Sequence, residues 1–351
     1  MTTAAGQPRC WREIFSRIRA AAIFVAVACA PATLVAQVPP HPSPPVAAIG
    51  PAIESLDASR GAGLYPLFTS VDLHAGSATV RQALIIIHGR LRNAADYYAT
   101  GLAITKAAGA AGGTTVVVAP QFLLQADVTA HQLPDRTLRW RRGWEEGAPA
   151  LAPASVQSGD APPSSYDALD DVVAKLSNAQ AFPALKRIVF VGHGGGAQML
   201  ARYAVVMHPR AGPPVSFVIA NAGTYLYPTT TRPVPLDCPD FNLWKYGLDQ
   251  PPPYVGDAGK ILKDFAARDV TLLLGAKDSK TTGILDRSCA AQSQGRNRLE
   301  RGRNFAQVMT ASGIAPRLKY VIVSGIGHDE KGMLLSSEAA AAIFAAGKAA
   351  H

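Results

Sequence analysis

The chain has 351 residues, 48% of them hydrophobic and 17% charged, with a formal charge of +9. That excludes a disordered chain and supplies enough apolar material for one sizeable core. The basic excess is no nucleic-acid signature: Arg9, Arg12, Arg17 and Arg19 against Glu13 account for +3 of it, and no aromatic-interleaved basic motif occurs. The remaining cations are dispersed apart from "RWRR" (139–142) and "RNRLERGR" (296–303), whose helical spacing predicts a solvated face.

The N-terminal arginines precede "AAAIFVAVACAPATLVAQ", a short apolar run closed by small residues. This pattern predicts an export signal over residues 1–36, cut after Ala36, and a periplasmic or secreted destination. "AVAC" leaves a second reading open, lipoprotein anchoring through Cys29. The run is short for a membrane span and Pro31 interrupts it, so no span is expected in the mature form. Residues 37–60, with "VPPHPSPPVAAIGP", read as a proline-rich linker, and residues 61–351 as one domain. Removing the signal takes Cys10 and Cys29 and leaves Cys238 and Cys289, an even pair that predicts one disulfide in an exported chain.

Within the domain, a weak antiparallel start, "LYPLFTSVDL", precedes six apolar runs that read as buried strands. They are "ALIIIHG" (83–89), "TTVVVAPQF" (114–122), "RIVFVG" (187–192), "VSFVIANAG" (215–223), "VTLLLGAKD" (270–278) and "LKYVIVSGIGH" (318–328). Near-continuous apolar strands suit a parallel sheet covered on both faces. Helical patterns such as "SSYDALDDVVAKL" and "AQMLARYAVVM" lie between them, so the fold class is α/β with a mostly parallel central sheet flanked by helices. Two long segments, 123–163 and 224–257, interrupt the alternation and read as a lid or walls over a site. Their Trp140, Trp144, Tyr225, Tyr227, Phe241, Trp244 and Tyr246 predict an apolar-walled cleft.

The turn "GHGGGAQ" (192–198) carries the functional question. Its glycines fit neither the dinucleotide fingerprint nor the P-loop, so no cofactor is expected, and no metal set is assigned. "HGGG" matches an esterase oxyanion loop literally, but no G-x-S-x-G follows it. The third reading is a nucleophile elbow. Gly192, His193 and Gly196 form its frame, because only small residues fit two positions either side of a nucleophile, and Gly194 stands where the nucleophile belongs.

The sequence resembles secreted α/β-hydrolases with the elbow "GHSAGGQ" followed by "RYA"; the corresponding stretch here is "GHGGGAQMLARYA". "SSYDALDDVV", "NLWKYGL", "CAAQSQGRNRLERGRNF" and the final "GIGHD" extend the resemblance over roughly residues 65–345. It implies an α/β-hydrolase fold and serine ester hydrolysis. "IIIHGRLRN" would then be the oxyanion loop, with Arg90 or Leu91 giving one N–H and Gly195 the other. The base would be His328 and the acid Asp278, with Asp286 on the same loop as an alternative.

Acyl transfer on such a fold needs an oxygen nucleophile, and glycine has none. The expectation is therefore a pseudoenzyme or ligand-binding module for a small ester-like molecule, with at most weak hydrolysis. The alternative is an active ester hydrolase or lyase using His328, Asp278 and water, or a nucleophile supplied by Ser164, Ser165, Ser279 or Tyr225.

Overall fold

A computed structural model of the chain describes residues 44–56, 62–151, 162–281 and 283–344. The segment read as an export signal, with Cys29, lies outside them.

In chain order the elements begin with β1 (Ala52–Ser55), β2 (Leu64–Thr69), β3 (Gln82–Ile87), α1 (Ala94–Ala107), α2 (Ala110–Gly113) and β4 (Thr115–Pro120). There follow β5 (Leu123–Leu124), α3 (Gln125–Ala130), β6 (Arg139–Trp140), a 3-10 turn at Trp144–Glu146, α4 (Ser165–Leu176), β7 (Arg187–His193), α5 (Gly195–Val206) and β8 (Val215–Ala220). The last are α6 (Ala258–Ala266), β9 (Asp269–Gly275), α7 (Cys289–Gln292), α8 (Arg298–Ala311), β10 (Leu318–Val323), α9 (Glu330–Leu334) and α10 (Ser337–Phe344).

Eight strands form one sheet in the order β1-β2-β4-β3-β7-β8-β9-β10. The β1–β2 and β2–β4 pairs are antiparallel and the others parallel. All six residues of β3 are buried, and their period of two divides them between two cores. Ile85 and Ile87 join the larger core with residues of α4, α5 and α8. Leu84 and Ile86 join the smaller one with Tyr97 and Ile104 of α1, Met333 of α9 and Ile343 of α10. The sheet is thus sandwiched between helices, as its apolar runs require. Start signals agree with the sequence: α4 opens on a capping box in which the Ser164 N–H donates to Asp167 and the Asp167 N–H donates to Ser164 Oγ.

Three expectations are corrected. Residues 44–56 are not linker but part of the domain: β1 pairs with β2, Val46 is buried, its N–H donates to Asp127 at 2.9 Å and the Gly50 N–H donates to Gln121 at 3.0 Å. Proline-rich composition forbids a helix, yet an extended chain whose few N–H groups find side-chain acceptors docks well. Segment 123–163 is not plain loop, since it carries α3 and a small parallel pair of β5 and β6. The run 296–303 is a solvated face only in part: Arg296 and Arg303 are exposed, but Arg298 and Arg301 are buried. Arg301 donates to the backbone carbonyls of Gly295, Gly223 and Asp286, so its charge is spread over fixed acceptors in the interior. Cys238 and Cys289 are joined in a disulfide. Among the described residues no helix is long and apolar enough to cross a membrane.

Candidate active site

The sharp turn between β7 and α5 is possible because of two close approaches. A Cβ on Gly196 would sit 2.2 Å from the Ile87 carbonyl oxygen, and one on Gly192 would sit 2.7 Å from the Gly196 backbone. Either contact would push the helix off the strand, so both positions accept only glycine. Between them, Gly194 has φ +56° and ψ −110°, a conformation that exposes whatever side chain the residue carries. A Cβ there would lie 3.4 Å from His328 Nε2 and 3.6 Å from its Cε1. The nucleophile position and the predicted base therefore face each other.

His328 lies on the loop after β10, and its Nδ1 is 2.8 Å from Asp278 Oδ2. The buried Asp278 carboxylate accepts from Nδ1–H, which leaves Nε2 toward Gly194. Arg298, on α8, stands 3.6 Å from the other Asp278 oxygen. Asp286, the alternative, is engaged elsewhere: it accepts from the Tyr246 hydroxyl at 2.6 Å and from the Ser288 N–H at 3.0 Å, and those bonds hold its carboxyl below the usual range despite desolvation.

The oxyanion loop is held from several sides. A Cβ on Gly195 would be 2.9 Å from the Arg90 backbone nitrogen, so these two backbones adjoin. Gly195 is the first residue of α5, and its N–H has no acceptor within the helix. Of the two alternatives, Arg90 rather than Leu91 thus adjoins Gly195. His88 is buried; its Nδ1–H donates to the Gly89 carbonyl at 2.8 Å and its Nε2 accepts from the Phe122 N–H at 3.0 Å. Burial lowers its pKa to about 4, which keeps the ring neutral and suited to both bonds. Arg92, with φ +60°, donates to both oxygens of buried Asp127, at 2.7 and 3.0 Å. Arg90 pairs with Glu145 at 2.9 Å, which brings the 3-10 turn against the loop.

Sequence reasoning missed Asn221. This residue, with φ +51°, donates to the Gly327 carbonyl at 2.9 Å, accepts from the Gly275 N–H at 2.8 Å and approaches His193 Nε2 at 3.3 Å. It ties the ends of β7, β8 and β9 to the loop of the base; a polar residue with positive φ at a strand end is the signal that pointed to it. His193 packs on His328 with ring centroids 4.6 Å apart, and burial, reinforced by His328 and Arg298, lowers its pKa to about 3.

These groups open on a cavity of about 290 Å³. Gly89, Arg90, Leu91, Tyr97, His193, Gly194, Gly195, Gln198 and Gly223 line it together with Ile284, Leu285, Asp286, Arg298, His328 and Glu330. Among the described residues the lining contains no Ser, Thr or Cys. The alternative donors lie elsewhere: Ser164 caps α4, Ser165 Oγ donates to the Trp144 carbonyl at 2.6 Å, and buried Tyr225 stacks on Phe305. Ser279 is exposed and outside the lining.

Among the described residues the aromatic-walled cleft and the lid are corrected as well; residues 152–161 of the first long segment lie outside them. None of the seven aromatic residues singled out in the sequence lines the cavity. Trp144 stacks on Phe122 with centroids 5.3 Å apart, and the Trp244 indole donates to the Glu146 carbonyl at 2.9 Å, so both long segments buttress the oxyanion loop from behind. The loop after Asp278 supplies the wall instead, through Ile284, Leu285 and Asp286.

No protein-family model and no curated protein matches the chain. Solved structures do. One is LpqC, a poly(3-hydroxybutyrate) depolymerase from Bordetella parapertussis, at 24% identity and TM-score 0.55 over 80% of this chain and 86% of that one. Another is poly(aspartic acid) hydrolase-1 from Sphingomonas sp. KT-1, at 22% identity and TM-score 0.56 over 81% and 96%. With the sheet order above, these likenesses establish the α/β-hydrolase fold.

Proposed function

We propose that this chain is an exported ligand-binding protein of serine-esterase lineage, built on a hydrolase scaffold whose nucleophile is replaced by Gly194. One observation carries the reading. The frame of acyl transfer is complete around the cavity, while no hydroxyl or thiol of Ser, Thr or Cys lines it among the described residues. In this scheme the Arg90 and Gly195 N–H groups would hold a carbonyl oxygen, and Asp278 orients His328. Among the described residues of the lining, no Ser, Thr or Cys is positioned for His328 to deprotonate. In subtilisin, loss of the serine costs about 10⁶ in kcat, and a comparable loss leaves at most weak hydrolysis here. A single disulfide between the remaining cysteines accords with export.

The test is turnover of p-nitrophenyl acetate and butyrate together with labelling by a fluorophosphonate probe. We expect no labelling and only trace turnover; robust turnover with stoichiometric labelling overturns the reading. Gly194→Ser should raise ester hydrolysis by at least about 10³-fold, because the added oxygen meets a base already oriented. A second reading draws on the 3.4 Å between a Cβ at Gly194 and His328 Nε2, where a water activated by His328 would find room. His328→Ala separates the two: trace turnover that survives it unchanged excludes histidine-driven chemistry.

A further inference from the structure

Replacing serine by glycine changes what fits at the elbow as well as what reacts there. Serine would place its oxygen between the oxyanion donors and His328. With Gly194, that position is open to an oxygen of the ligand itself. An ester offers there only an alkoxy oxygen, a weak acceptor with a carbon chain attached. A carboxylate offers a second full acceptor on the same carbon.

We propose that the cavity binds the anion of a monocarboxylic acid with a short apolar tail. One oxygen lies against the N–H groups of Arg90 and Gly195, and the other against His328 Nε2, with one proton between them. This inference rests on the reading of Gly194 as a lost nucleophile. Four features carry it. The Gly195 N–H opens the twelve-residue helix α5, whose N-terminus favours negative charge. His328 has its Nδ1–H bonded to Asp278, which leaves Nε2 facing the cavity and able to share a proton with a carboxylate. Arg298 lines the same cavity and, 3.6 Å from Asp278, offsets the charge of that carboxylate. Leu91, Ile284 and Leu285 offer apolar surface to a tail, with Ile284 and Leu91 largely exposed.

The remaining charges set the limit on the ligand. Asp286 and Glu330 also line the cavity, so a second carboxylate would meet like charge. Desolvation already raises the Glu330 carboxyl, which marks that part of the cavity as a poor place for more negative charge. At about 290 Å³ the cavity is at the small end for ligand sites, which suits a short tail.

The purified wild-type chain is titrated calorimetrically with hexanoate, hexanamide, methyl hexanoate and adipate, and methyl hexanoate is checked for hydrolysis under the same conditions. We expect hexanoate to bind at least about tenfold more tightly than each of the other three, a difference of about 1.4 kcal/mol. His328→Gln should bring hexanoate and hexanamide to within about threefold of each other, because the ionisable ring is gone while a donor of similar size remains. Equal affinities, tighter binding of ester or amide, or no binding of hexanoate overturns the carboxylate site while leaving the lost nucleophile standing. Rapid hydrolysis of methyl hexanoate by wild type overturns both. The four-ligand comparison needs no variant, so it decides the matter even if the glutamine substitution misfolds.

Discussion

The two sides of the cavity are made of different material. On the oxyanion side, residues 88–92 are pinned by directional bonds: neutral His88 between Gly89 and Phe122, Arg92 on both oxygens of Asp127, and Arg90 on Glu145. On the side formed by residues 284–286, Ile284 is 75% exposed and Asp286 is held by Tyr246 and Ser288 at the edge. The first side must place backbone N–H groups to within a few tenths of an ångström. The second meets the variable part of a ligand, where apolar surface is enough. Directional bonds are thus concentrated on the side of residues 88–92, and buried polar groups supply them.

Removing Asp127 breaks this contrast most severely. Asp127→Ala leaves the Arg92 guanidinium, only 3% exposed, without its carboxylate, and should cost about 3–5 kcal/mol of unfolding free energy in a urea titration. A loss under 1 kcal/mol would mean that the oxyanion side is held by packing alone. The next effect is pH-dependent. His88 has a folded pKa of about 4 against an ordinary 6.5, so the unfolded chain binds its proton first as pH falls. The stability it contributes is complete above pH 6.5 and is lost between 6.5 and about 4, on the order of 3 kcal/mol. Denaturation at pH 7.5, 6 and 4.5 should show the decline already under way at pH 6, with His193, whose pKa is lowered to about 3, adding to it; a flat response across that window removes both neutral histidines from the scheme. The smallest effect belongs to the other wall. Ile284→Ser should change unfolding free energy by no more than about 0.5 kcal/mol, and a loss above 1 kcal/mol would show that this wall is structural after all.

The strands and the elbow were legible because they follow from local constraints. A strand buried on both faces needs a continuous apolar run, as in "ALIIIHG", and a turn with backbone contacts near 2.5 Å needs glycine at Gly192 and Gly196. Other features depend on partners distant in sequence. Nothing in "HPSPPVAAIG" announces that Asp127 and Gln121 will accept its N–H groups. Arginines at helical spacing read as solvated until the carbonyls around Arg301 are seen. The aromatics of the long segments were counted correctly, but their facing was not, since the same rings serve equally well to fill a core. Asp278 and Asp286 share a loop, and only the 2.8 Å bond to His328 tells them apart.

The backbone at Gly194 has a consequence for how such a chain persists. A residue with a Cβ held at φ +56° and ψ −110° would carry about 1–3 kcal/mol of strain, which a reactive enzyme tolerates for the sake of an exposed oxygen. Glycine adopts the same angles with far less strain. Compared with a side chain at this position, glycine therefore widens the stability margin of the fold, a margin that can absorb one or two ordinary destabilising mutations elsewhere. On the proposed reading, absence of a nucleophile and ease of the turn come from the same residue, so mutational drift would have no thermodynamic reason to dismantle the surrounding frame.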